Sequence, residues 1–198
     1  MARIALVGDS HAQVLWSVLR PSLTAQGHEV VLSLANPGWS EAKYLTTDIG
    51  GQLRSAAPDI VVFELGGNNQ KMSEGSYASD LQRLVAFAKD AGAKTVIWFS
   101  PFHATTGDTA RRHEASSEMQ SRVLPSMGVR WVDTRPYSQS GHRSDGVHFT
   151  NDAYRQLAAR MLPEIRETGM AQSGWVLPVA LGMAVVALAV ALRVRLSR

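Results

Sequence analysis

A chain of 198 residues is the length of one ordinary domain, enough for one sizeable core and short for two. Its formal net charge of +3 does not mark a nucleic-acid binder. Arg193, Arg195 and Arg198 carry that whole excess, the remaining residues hold 17 charges of each sign, and no basic run is interleaved with aromatics. The absence of cysteine excludes a disulfide framework, thiolate metal sites and a cysteine nucleophile.

Taken from the N-terminus, short apolar runs bounded by turn residues predict five strands: Ile4 to Val7, Val30 to Leu34, Ile60 to Leu65, Thr95 to Phe99 and Val129 to Val132. Helical stripes lie between them. Val14, Leu15, Val18 and Leu19 predict a helix over 12–26 that Pro21 should break or kink and Gly27 should close. Tyr77, Leu81, Leu84, Val85 and Ala88 mark a second, and Tyr154, Leu157, Ala158, Met161, Leu162 and Ile165 another. Residues 103–118 are polar and weakly periodic, which predicts a long loop running into a helix, with Arg111, Arg112 and His113 on a solvated face. Strands alternating with helices imply an α/β domain with a mainly parallel sheet over residues 1–170.

The end of the chain differs in character. After a short linker, 171–174, the eighteen residues from Trp175 to Leu192 carry no charge, and the arginines of a basic tail, 193–198, follow at once. As a helix this stretch is roughly 27 Å long, close to the hydrocarbon thickness of a bilayer. It is expected to be a single transmembrane helix, with Trp175 at the interface and Pro178 in the first turn, where its missing N–H costs little. Ile4 to Val7 is too short for a signal-peptide core, so the default expectation is a domain on the cytoplasmic side. Arginines flank both ends of the span, which leaves its orientation open.

Three short motifs carry chemistry. Ser10 follows the first strand in Gly8-Asp9-Ser10-His11, where a strand-to-helix junction presents the hydroxyl above the sheet edge and aims helix N–H groups at the same space. By itself this is equally an N-cap. Gly66-Gly67-Asn68-Asn69 follows the third strand, with glycines for a tight turn and an asparagine amide able to donate to an oxyanion. Asp145-Gly146-Val147-His148 precedes the last helix, which Thr150 or Asn151 can cap. A carboxylate three residues before a histidine can reach its Nδ1 proton and leave Nε2 to take a proton from a serine. In an open parallel sheet of order 2-1-3-4-5, ligands bind at the carboxyl ends of strands one and three. Ser10 and Asn68 both belong there.

At these residues the chain resembles the SGNH, or GDSL, hydrolase superfamily of esterases and lipases. Its first block is similar to Gly8-Asp9-Ser10, with Ser10 at the nucleophile, its third to Gly66-Gly67-Asn68-Asn69, and its fifth to Asp145 and His148. Gly38, in Asn36-Pro37-Gly38-Trp39-Ser40, matches the second-block glycine. Asn69 departs from the usual aspartate. The resemblance implies a three-layer α/β/α fold with a five-stranded parallel sheet, a Ser10, His148 and Asp145 triad, and an oxyanion hole from Ser10, Gly38 and Asn68, with no metal or cofactor. The expected partner is an ester, either an O-acetyl group on cell-envelope carbohydrate or an acyl lipid. A non-catalytic glycan-binding or structural membrane protein, and an O-acyltransferase using the same triad, are the alternatives. Trp39 is a candidate for stacking on a substrate, His103 for lining the pocket, and Asp9 for supporting the turn.

Overall fold

The computed structural model describes residues 1–69 and 73–170. Five parallel strands, β1 (Arg3–Gly8), β2 (Glu29–Ala35), β3 (Ile60–Glu64), β4 (Thr95–Phe99) and β5 (Arg130–Val132), form one sheet in the order β2-β1-β3-β4-β5. β1 and β3 are central, paired from Ile4↔Ile60 to Gly8↔Glu64, and buried on both faces, as their unbroken apolar runs require.

Alternate strand residues point to opposite faces and build two cores. Ile4, Leu6, Val62, Ile97 and Phe99 pack under α1 (Ser10–Ala25) and α6 (Asn151–Met170), through Leu15, Trp16, Leu19, Leu157 and Met161. Ala5, Val7, Val61, Phe63 and Trp98 pack on the other face with Leu53 of α3 (Ile49–Ala56) and Leu81, Leu84 and Val85 of α4 (Glu74–Asp90). This is the three-layer arrangement. A one-turn helix, α2 (Glu41–Tyr44), and the polar helix α5 (Gly107–Val123) complete the described elements used below.

Two expectations change. α1 is not broken at Pro21 and continues to Ala25. The carbonyl that loses its helical partner there belongs to Ser17, and Ser17 and Pro21 are both exposed, so water can take that bond while Leu15, Leu19 and Leu23 stay packed. In the 103–118 stretch only a short loop precedes α5, and while Arg111 is on the solvated face as expected, His113 is not: the helix buries it with Ser116, Ser117 and Gln120. The expected membrane span over 175–192, with its linker and tail, lies outside the described residues. Among the described residues no helix is long and apolar enough to cross a membrane.

Candidate active site

β1 ends at Gly8, which has no room for a side chain: a Cβ there would sit 2.3 Å from that of Ala12 and 3.0 Å from the Glu64 carbonyl oxygen. The close approach lets α1 start at once. Asp9 caps it, its Oδ1 accepting from the His11 N–H at 3.0 Å. Ser10 is therefore the first helical residue, half-buried, with its N–H at the positive end of a 16-residue helix.

His148 reaches this hydroxyl from the opposite end of the chain. The 141–150 segment folds back on itself, with Arg143 N–H donating to the His148 carbonyl at 2.7 Å and Thr150 N–H to that of Gly141 at 2.8 Å. Gly146, at φ +67°, turns the loop, and its carbonyl accepts from the Thr105 N–H at 2.8 Å, which docks the loop on the β4–α5 connection. Asp145 Oδ1 accepts from the N–H groups of Val147 and His148, both at 2.9 Å, while Oδ2 pairs with His148 Nδ1 at 2.8 Å. His148 Nε2 lies 3.0 Å from Ser10 Oγ. The Val147 N–H first, then the imidazole and the His148 N–H, hold the Asp145 carboxyl well below its ordinary value, so it is a fixed carboxylate that favours the Nδ1–H tautomer of His148.

Gly38 and Asn68 line the same cleft, of about 440 Å³, together with Ser10, His148, Gln13 and Arg143. Gly38 has φ +73° in a turn tied to the end of β1, because Asn36 N–H donates to the Gly8 carbonyl at 3.1 Å and the Tyr44 hydroxyl donates to the same oxygen at 2.6 Å. Among the described residues the N–H groups of Ser10 and Gly38 have no acceptor of their own. Asn68 is differently placed. Its Nδ2 donates to Asp9 Oδ2 at 2.8 Å and, more weakly, to the Trp39 carbonyl at 3.3 Å.

Below Asn68 lies a group that the sequence reading passed over. Glu64, at the end of β3, is 1% exposed and hydrogen-bonded to the equally buried Asp9. Burial pushes Glu64 well above the usual carboxyl range and Asp9 up to about 6, so the shared proton rests on Glu64 and the charge on Asp9, where Asn68 and His11 donate to it. A lone glutamate in the apolar run from Ile60 to Leu65 was the available signal. His11 is also buried, shares a 3.0 Å hydrogen bond with the Tyr154 hydroxyl and lies under the His148 ring at 5.2 Å, and burial lowers its pKa far enough to keep it neutral.

Other candidates fall elsewhere. Trp39 packs edge-on against Tyr44 at 5.0 Å and is outside the cleft lining, as is His103, whose N–H binds Ser138 Oγ. Arg111 pairs with Asp108 and Arg112 with Thr109 in their own helix turns. His113 is buried, bonded to the Phe102 carbonyl at 2.7 Å and packed on Gly67.

The fold recurs in solved structures. These include a carbohydrate esterase family 3 protein from Talaromyces cellulolyticus (TM-score 0.70, 18% identity, covering 87% of this chain and 100% of that one). TesA gives a TM-score of 0.69 with 21% identity, covering 83% of this chain and 98% of the other. Axe2, an acetylxylan esterase from Geobacillus stearothermophilus, gives 0.68 with 15% identity, covering 83% and 94%. No curated protein matches the sequence significantly. The profile of the GDSL-like Lipase/Acylhydrolase family, however, matches residues 6–156. With that match over most of the chain, on a five-stranded parallel sheet in the order its relatives share, this protein belongs to the GDSL-like lipase/acylhydrolase family and is a serine hydrolase of ester bonds.

Proposed function

We propose that the protein removes short acyl groups, acetyl above all, from carbohydrate through an acyl intermediate on Ser10, and that residues 175–192 hold it to a membrane. The observation that carries the reading is the unbroken chain from Asp145 to His148 to Ser10, at 2.8 and 3.0 Å. His148 Nε2 takes the Ser10 proton as Oγ attacks the ester carbonyl, and the N–H groups of Ser10 and Gly38 receive the oxyanion. Asn68 joins them by exchanging its longer bond, to the Trp39 carbonyl, for one to the oxyanion, while Asp9 keeps the amide aimed. The tetrahedral intermediate collapses as His148 returns the proton to the departing alcohol oxygen. Water, deprotonated by His148, then attacks the acyl-serine and releases the acid. Asp145 stays ionised throughout and steadies the imidazolium.

Carbohydrate as the acyl carrier is supported by the esterases of acetylated sugars among the structural neighbours and by a modest cleft whose lining includes Gln13, Asn68 and Arg143. A fluorophosphonate should label Ser10 in the folded protein, and Ser10→Ala should lose at least about a hundredfold in kcat/KM on p-nitrophenyl acetate. Labelling elsewhere, or none, refutes the assignment. In a panel of p-nitrophenyl esters the acetyl ester should be preferred, and a long-chain preference moves the substrate to an acyl lipid. The uncharged Trp175 to Leu192 stretch supports the anchor. Deleting residues 175–198 should release the protein from membranes, and continued sedimentation with them removes the anchor from the proposal.

A further inference from the structure

Among the described residues Arg143 is the one permanently cationic side chain lining the cleft, and no aspartate or glutamate lines it. Some surface arginines are matched to carboxylates, as Arg3 is to Glu29, Arg122 to Glu74 and Arg155 to Asp152, while others, Arg20, Arg54 and Arg160, stand exposed to solvent away from the cleft. The Arg143 guanidinium meets no carboxylate or carbonyl among the described residues. Its sequence neighbour Asp145 is not available to it. Both oxygens of that carboxylate are taken, by two backbone N–H groups and the His148 ring. Among the described residues the cleft therefore holds a positive charge and N–H donors with no carboxylate in its lining.

The backbone from which this charge projects is held by the turn that carries the site. Arg143 N–H donates to the His148 carbonyl at 2.7 Å, and the Arg143 carbonyl accepts from Gly146 N–H at 3.0 Å. Arg143 thus belongs to the His148 side of the cleft, where the alcohol of an ester must leave, because the same imidazole protonates the departing oxygen. A planar guanidinium matches a carboxylate or phosphate with two parallel hydrogen bonds, and a half-open cleft strengthens such a pair relative to bulk water.

We propose that Arg143 selects esters whose alcohol portion carries an anionic oxygen group, a carboxylate or a phosphate, near the scissile bond. This rests on the acyl-serine reading above and adds a substrate class to it. An acidic sugar bearing an O-acyl group and an acylated phosphate-bearing alcohol share this chemistry.

The test uses the full chain and three acetyl esters: 3-acetoxybenzoate, 4-acetoxyphenyl phosphate and the neutral 3-acetoxybenzamide. The quantity compared is the ratio of kcat/KM for each anionic ester to that for the amide. Arg143→Gln should lower this ratio on the order of tenfold, mainly through KM, and Arg143→Lys should restore part of it. The arm with the larger fall identifies the anion. In the unsubstituted protein, rising ionic strength should slow the anionic esters relative to the amide, a readout independent of whether any variant folds. An unchanged ratio in Arg143→Gln together with salt-insensitive discrimination overturns the inference while leaving Ser10 chemistry intact. Failure to turn over any of the three, with no Ser10 labelling, overturns the acyl-serine reading and this inference with it.

Discussion

Asp145 is about half exposed, its side chain at 48%, yet its carboxylate is firmly held. Three hydrogen bonds converge on it, two of them from the backbone of its own turn. Water screens the charge, so the geometry rather than raw Coulomb attraction orients His148. Because its folded pKa is depressed, the stabilisation these bonds give is present above the ordinary aspartate value and is lost only as pH falls through the lower folded value. Asp145→Asn keeps the shape but offers Nδ1 an amide, which tolerates the wrong tautomer. Turnover of p-nitrophenyl acetate should fall at least about a hundredfold at neutral pH, with fluorophosphonate labelling of Ser10 slowed in parallel. Asp145, His148 and Ser10 were legible as residues because local spacing dictates the Asp–His contact. The 138-residue separation between Ser10 and His148 was not bridged by any local rule.

At the scale of elements, the turn after β3 shows why α5 looked shapeless in sequence. Gly66, at φ +129°, has no space for a Cβ, which would fall 2.5 Å from Gln120 Nε2 and 2.7 Å from Pro101 Cγ. A Cβ on Gly67 would lie 2.8 Å from His113 Nε2. Gln120 also donates to the Leu65 carbonyl at 2.9 Å and the Tyr77 hydroxyl at 2.7 Å. The buried face of α5 is polar because it satisfies the backbone of the turn that presents Asn68, so a search for apolar periodicity finds nothing there. Gly66→Ala should destabilise the protein by about 2 kcal/mol or more and lower kcat/KM, since relief of the clash displaces Asn68. Urea unfolding and ester kinetics measure the two effects. An alanine variant of full stability and full activity refutes the coupling of α5 to the site. The central strands posed no such difficulty: past Arg3 at the start of β1 they are buried on both faces, and apolar up to Glu64 at the end of β3.

Across the molecule the unusual feature is a set of buried carboxyls under the site that, among the described residues, form no ion pair with a lysine or arginine. Asp9, Glu41 and Glu64 are each 1% exposed or less, and one oxygen each of Glu41 and Glu64 has no hydrogen-bond partner. Burial raises Glu41 to about 7, against 4.5 for a free glutamate. A raised acid is the reverse of the usual case. The folded state binds the proton more tightly, so Glu41 carries no penalty below the unfolded value and weakens the fold as pH rises from about 4.5 to about 7. Between pH 5 and pH 8 this amounts to roughly 2–3 kcal/mol. Glu41→Gln keeps an acceptor for the Tyr77 hydroxyl, now 2.8 Å from Glu41 Oε1, and should flatten the pH dependence of unfolding free energy by about that amount. Denaturant unfolding at both pH values checks it, and an unchanged slope shows that Glu41 is not the titrating group.

The sequence by itself determined the five strands in order, the α/β class and the helices before β2, after β3 and at the end of the domain, and it singled out three candidate motifs, because burial, periodicity and i to i+3 spacing act over a few residues; α2 and α3, between β2 and β3, were not legible in it. It also located an uncharged eighteen-residue stretch near its end. Only the tertiary structure decided that Asn68 is aimed by a buried Asp9 that shares a proton with Glu64, that His113 and Gln120 serve the glycine turn, and that Arg143 lines the cleft with no carboxylate partner among the described residues. Each of those depends on groups brought together from different strands or helices, where desolvation and the lack of a competing partner set the charge state, and neither is encoded in local sequence.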